Sequence, residues 1–137
     1  INLYGPGTDS GTFDFFVDTI LGEDDIREDF NPSEDDNVLV TGVAGDANAL
    51  GYFGLAYYEA NQDSLTAVAV ENSAGECINA TQETVQDGTY EPLSRPLYVY
   101  VAAPSLERPE VQEFVRFYLE NAAELAPERL GHRPPAG

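Results

Sequence analysis

The stretch from Gly5 to Phe16, GPGTDSGTFDFF, constrains this chain more than any other. Glycine at positions 5, 7 and 11 lets backbone come close to a ligand, because there is no Cβ to collide with it. Thr8, Ser10 and Thr12 place hydroxyls at alternate positions. An apolar stripe follows at once: Phe13, Phe16, Val17, Ile20 and Leu21 fall at the i, i+3, i+4, i+7, i+8 spacing of one helix face. Gly22 stands where such a helix would be capped. Ser10-Gly11-Thr12 therefore falls at a helix N-terminus, where unpaired N–H groups and the positive end of the dipole favour an anion. The residues alone admit two readings, an oxyanion-binding turn or a Ser or Asp cap on an ordinary amphipathic helix. Ile1 to Tyr4 is short and apolar enough for a buried strand that delivers the loop, which gives strand, glycine turn and helix in order. It is not a P-loop, since GxxxxGK[ST] is absent and the chain has no lysine.

That missing lysine belongs to a wider charge pattern. The 137 residues carry 25 Asp and Glu against 6 Arg, a formal net charge of −19. Disorder does not fit, because 42% of the residues are hydrophobic, fifteen are Tyr or Phe, and the apolar runs are periodic. Nucleic acid is excluded as a partner, because it requires a basic footprint. A folded, acidic, lysine-free domain fits a halophilic source, where molar salt screens self-repulsion. The length suits one domain with a real core. Cys77 is the single cysteine, so no internal disulfide is possible, and it reads as a small packed residue rather than a reactive thiol. His132, the single histidine, lies in a Pro- and Gly-rich tail, which leaves His-dependent zinc sites and Ser-His-Asp catalysis without a basis. No apolar run is long enough for a membrane-spanning helix. The chain opens on Ile1 rather than Met, so it is expected to be processed or excised from something longer.

Along the chain, Gly22 to Asn37 reads as a solvated acidic connection rather than a calcium loop, since the D-x-[DN]-x-[DN]-G spacing is missing. Ser33 with Asp36 resembles a capping box for a helix that Gly45 stops. Gly51-Tyr52-Phe53 reads as a short strand, and Leu55 to Asn61 as a short helix. Thr66 to Glu71 alternates with β-branched residues and predicts a strand, with Ile78 in a second short one. Thr81 to Val85 predicts a short helix whose Thr cap meets Thr84 rather than Glu, closed by the Asp87-Gly88 turn. Leu97 to Val101 predicts another strand, and Pro104 to Pro109 a loop. Val111, Phe114, Val115, Tyr118 and Leu119 predict a helix that Pro127 ends by about Ala126, ahead of a poorly ordered tail. Alternating strands and helices make the class α/β.

Three blocks, LYGPGTDSGTFDFF, DANALGYFGLAYYEAN and ETVQDGTYEPLSRPLYVYV, resemble in that order the phosphate-binding proteins of ABC-type phosphate importers. More narrowly, they resemble that family's second lobe and its return crossing, over roughly Leu3 to Ala126. The resemblance implies a type II periplasmic-binding-protein lobe, three-layered about a mixed central sheet. It implies a phosphate-binding domain at 1–92, a return crossing at 93–126 that packs with an absent first lobe, and a disordered tail at 127–137. By position it assigns phosphate contacts to Ser10, Gly11 and Thr12. The family's loop carries an Arg and an Asp where this chain has Pro6 and Thr8, so those two roles do not transfer. The Thr8 hydroxyl remains a donor, Asp9 is a candidate for the acid's part, and Arg95 a candidate for the positive charge. Tyr52 and Tyr57 read as core or cleft-wall residues rather than ligands.

The function implied is binding of inorganic phosphate by the solute-binding component of an ABC importer. Its partners would be the first lobe, in the same or another chain, and a membrane permease. Its place would be extracytoplasmic, anchored at the membrane in the full-length protein. No cofactor, metal or catalytic residue is expected. Two alternatives stay open: a phosphate-ester hydrolase using Ser10 or Thr12 as nucleophile, and an interaction domain that keeps the fold without the ligand. No general base stands in a recognisable motif to serve the first, and the absence of the family's Arg and Asp favours the second.

Overall fold

The structure is a computed structural model that describes residues 1–22, 26–96 and 98–122. The chain divides into two units, Ile1–Arg95 and Pro96–Gly137.

The first unit is built on a parallel three-stranded sheet in the order β2-β1-β3. β1 (Asn2–Gly5) is central, β2 (Asn31–Pro32) pairs with its carboxyl end and β3 (Ala49–Gly51) along most of its length. Side chains reinforce the short strands: the Asn31 amide donates to the Leu3 carbonyl at 3.0 Å. Pairing continues past the strand ends, with Ser33 N–H donating to Gly5 O at 3.1 Å and Tyr52 N–H to Tyr4 O at 3.2 Å. Because all three strands run the same way, their carboxyl ends share one edge, where open α/β sheets bind ligands. Three segments leave from that edge: the glycine loop, Ser33-Glu34-Asp35, and Tyr52-Phe53-Gly54.

Each leads into a helix. α1 (Gly11–Phe16) continues without a break into a π-helical turn, Val17–Leu21. The Gly22 N–H closes that turn on the Val17 carbonyl at 2.9 Å, with Gly22 at φ 64°, a conformation that favours glycine. α2 (Asp36–Ala44) supplies the best-buried side chains, Leu39 at 1% and Val40 at 7% exposure. α3 (Leu55–Glu59) follows β3. Further on, β4 (Val70–Glu71) and β5 (Cys77–Ile78) form an antiparallel ribbon. α4 (Gln82–Gln86) carries a complete capping box in which Thr84 does the work usually given to Glu.

The second unit holds a 3-10 turn, Ala103–Glu107, and α5 (Pro109–Glu120), where Pro109 takes the first helical position that suits its fixed φ. The expected end of this helix near Ala126 and the tail 127–137 lie outside the described residues.

Several expectations are corrected. Tyr98 to Val101 join no strand, and Tyr98, Val99 and Tyr100 are exposed; Leu97 lies outside the described residues. Of Thr66 to Glu71, Val70 and Glu71 alone pair. The reason is the same in both cases: alternation shows that a segment suits a sheet, but a ladder needs a neighbour. Ile1 is 76% exposed, so β1 is half-buried rather than buried. The third strand ends at Gly51, before Tyr52 and Phe53. The cap of α2 is Asp35, whose carboxylate accepts from the Asn37 N–H at 2.9 Å, and the Ser33 hydroxyl braces Asp35 instead.

Candidate functional site

The loop leaves β1 at Gly5, and Gly5, Pro6 and Gly7 are buried before Thr8 and Asp9 emerge as an exposed turn. The Ser10 N–H closes that turn on the Gly7 carbonyl at 3.1 Å. Ser10 is extended, at φ −97° and ψ 127°, and its Oγ accepts from the Thr12 N–H at 3.1 Å. The cap reading of Ser10 is thus realised. It does not exhaust the residue, because a hydroxyl that accepts from the backbone still has its own proton to donate. The first-turn N–H groups lie at the positive end of an uninterrupted helical run from Gly11 to Leu21.

Arg95, eighty-four residues later in the chain, comes to the same place. Its Nη2 is 3.6 Å from where a Cβ on Gly11 would stand, and its guanidinium carbon is 4.7 Å from the centroid of the Phe15 ring. Gly11 and Phe15 are one helical turn apart and share a face. The arginine therefore lies on the aromatic ring across the bare backbone at the start of α1. Among the described residues, the ion pairs are Arg27 with Asp29, Arg108 with Glu110 and Arg116 with Glu113. Arg95 is in none of them, although the chain has four acids for every base. Among the described residues it rests on a π-face rather than a carboxylate, an arrangement that suits its N–H fork to an incoming anion.

The flanking segments close in on the loop from both sides. The edge of the Tyr52 ring lies 2.5 Å from where a Cβ on Gly5 would stand, and the ring stacks on Phe16 with centroids 4.0 Å apart. Tyr52 is thus a wall of the site. Its hydroxyl is buried with no hydrogen-bond partner among the described residues, and burial pushes its pKa up. On the other side the Glu34 carboxylate lies against Gly7, where a Cβ would collide with Oε1. Behind it, burial raises the Asp36 carboxyl above the usual range, helped by Asp35 and Glu34. The Tyr57 phenol is raised by burial and then by Asp36 and Asp35.

Of the residues singled out in the sequence, Ser10, Gly11, Thr12 and Arg95 are brought together, with Thr8 and Asp9 on the adjoining turn. Two neighbours escaped sequence reasoning. Phe15, the seat of Arg95, could have been noticed as the one aromatic off the apolar stripe of its helix. Glu34 carried no signal, being one acid among many in a segment that reads as solvated. A depression bordered by Val43, Asp46, Ala49, Leu65 and Thr66 lies at the opposite end of the sheet. Among the described residues, no group of three or more His, Cys, Asp and Glu side chains is placed to hold a metal ion.

A protein-family model described as a PBP superfamily domain matches residues 1–122. A protein named SphX from Synechococcus elongatus is 45% identical over 93% of this chain, and one from Synechocystis is 48% identical over 98%. A phosphate-binding protein PstS from Staphylococcus haemolyticus is 37% identical over 92%. Among solved structures, a possible phosphate binding protein from Planctomyces limnophilus superposes with a TM-score of 0.79 at 40% identity over 95% of the chain. The matches cover 38–40% of these three relatives and 46% of the solved chain, so the chain spans about two fifths of the curated relatives it matches.

Proposed function

The chain belongs to the periplasmic-binding-protein (PBP) superfamily, with an α/β fold, and we propose from that premise that it binds inorganic phosphate. In this reading it supplies the second-lobe half of a solute-binding site that serves an ABC importer outside the cytoplasm. The observation that carries the reading is the Arg95 guanidinium laid on the Phe15 ring beside Gly11 at the start of α1. Relatives named for phosphate binding match nearly the whole chain and support the same ligand.

The residues divide the work. The N–H groups of the first turn, with the Ser10 and Thr12 hydroxyls, donate to the phosphate oxygens. Arg95 adds charge-assisted bonds, and the Thr8 hydroxyl donates from the turn, with Asp9 beside it as a hydrogen-bond acceptor. The remaining three fifths of the relatives' length would supply a further lobe that covers the ligand from the opposite side. Domain division follows this scheme, with 1–92 as the binding domain and 93–126 as a crossing that packs with the further lobe. The membrane permease is the onward partner. The acidic surface suits molar salt. In this reading the site binds without chemistry, since no general base stands in a recognisable motif, and no turnover of a phosphate ester is expected.

Calorimetric titration with phosphate in concentrated potassium chloride tests the reading, with sulfate and a chromogenic phosphate ester as controls. Saturable phosphate binding that Thr12→Ala weakens by about tenfold or more is the expected result. A folded chain that takes up no phosphate, or that hydrolyses the ester with a rate lost in Ser10→Ala, would overturn it.

A further inference from the structure

Arg95 is long and exposed, and ordering such a side chain only when an anion arrives would cost affinity. The structure orders it beforehand. The guanidinium carbon lies 4.7 Å from the centroid of the Phe15 ring, and Nη2 reaches toward Gly11, one turn back on the same face. α1 carries three aromatic residues, and their contacts differ. Phe13 stacks on Phe30 and Phe16 on Tyr52, which ties the helix to its neighbours in the fold. Phe15 is off the apolar stripe and half-buried, and its ring meets a cation instead. A carboxylate could hold an arginine as firmly, but it would cancel the charge and accept from the N–H fork that a phosphate uses. An aromatic face attracts the cation while taking none of those in-plane N–H bonds. The distinction matters in a chain of 25 acids and 6 arginines, where a carboxylate is the commonest polar partner an arginine could meet.

Resting on the reading of the loop as a phosphate site, we propose that Phe15 is a positioning residue of that site. It touches no ligand. It acts through Arg95, whose guanidinium it holds ready at the start of α1 without neutralising it. Part of an affinity that is electrostatic at the phosphate therefore resides in an apolar ring one helical turn away.

The test is a double-mutant cycle read by calorimetric titration of the chain with phosphate in concentrated potassium chloride. Arg95→Gln should weaken phosphate by about tenfold or more, as the loss of a charge-assisted contact requires. Phe15→Leu keeps an apolar side chain but removes the ring, and should weaken phosphate by about twofold to fivefold. Phe15→Tyr, which returns a ring, should recover the wild-type affinity. In the Arg95→Gln background Phe15→Leu should have no further effect, because the group through which it works is gone. The Arg95 δ-methylene proton resonances give a second reading, taken on the wild type before any ligand is added. Seated on the ring, they should stand upfield of those of the other arginines, and Phe15→Leu should return them. An equal loss from Phe15→Leu with and without Arg95, or no loss where Arg95→Gln does weaken binding, overturns the inference and leaves the phosphate site standing. Unshifted Arg95 resonances in the wild type do the same. If Arg95→Gln leaves the affinity unchanged, the inference falls and the site is reduced to the loop's own donors. Failure of the folded wild type to take up phosphate removes both the inference and the reading on which it rests.

Discussion

α2 and α5 differ in a way that sequence pattern does not foresee. α2 shows only weak segregation of apolar and polar residues, yet it buries Leu39 and Val40 beneath a sheet. α5 has the cleaner apolar face of the two, yet Phe114 is 67% and Leu119 61% exposed, and none of its residues is buried. The caps differ as well: Asp35 accepts an N–H at the start of α2, whereas Arg108 gives α5 no side-chain cap. Amphipathicity states what a helix is ready to bury. Whether it buries anything depends on a partner being present. By this measure α2 is a finished piece of structure, and α5 is a face prepared for something else.

The largest expected effect falls on the finished side. Leu39→Ala removes the best-buried side chain of a small core and should lower unfolding free energy by about 2–5 kcal/mol, read from denaturant midpoints at unchanged m-value. A cost under about 1 kcal/mol would mean that the sheet–helix core is looser than its burial indicates and that the contrast with α5 is false. Next comes the cap. Asp35→Ala should cost about 1 kcal/mol in molar salt, whereas Arg108→Ala should cost well under that, since the Arg108–Glu110 pair is exposed and such pairs contribute about 0–1 kcal/mol. Equal losses would show that the two helix starts are not energetically different.

How much of this was legible beforehand follows the range of the forces involved. Local devices were readable: the helical run over Phe13 to Leu21, the Gly22 cap and the Gly45 stop all depend on residues within a turn or two, whereas the helical turn over Ala103–Glu107 and the start of α5 at Pro109 replace what was expected to be a loop. The resemblance of three ordered blocks gave the family. What failed depended on distant partners. TAVAVE and LYVYV have the chemistry of strands, but among the described residues most of each finds no neighbour to pair with. In the site, Ser10-Gly11-Thr12 was legible because a helix start is local. The position of Arg95 could be guessed only from resemblance, and its Phe15 seat and the Glu34 carboxylate over Gly7 required the fold.

Electrostatics sharpens the comparison from the α2 side. The Asp36 carboxyl is raised by burial first, then by Asp35 and Glu34. A raised carboxyl means that the folded state holds the proton more tightly than the unfolded chain does. Its contribution is therefore fully favourable only below the ordinary Asp range, about pH 3.9, and is lost as pH rises through the folded value. Asp36→Asn should accordingly stabilise the protein at neutral pH, with the gain fading on acidification. Molar salt should shrink the part due to Asp35 and Glu34 and leave the part due to burial. A gain that persists unchanged at low pH would assign it to packing instead of charge.

The smallest effect in this chain is the most telling. Phe114→Ala deletes a large apolar side chain, but one already mostly in water, with Tyr118 as its aromatic neighbour at a centroid distance of 6.5 Å. Losing such an i, i+4 pair should cost no more than about 0.5 kcal/mol. If the face of α5 is prepared for the further lobe of a longer protein, the same substitution in a protein that includes that lobe should cost about 3–5 kcal/mol, the range for emptying a core site. The difference between the two measurements isolates the partner, because the helix and its own contacts are common to both. A small cost in both settings would leave the face of α5 unclaimed by a second lobe, and a large cost in this chain alone would mean that copies of the chain already cover it. That last outcome would also make the midpoint depend on protein concentration, which a dilution series would reveal.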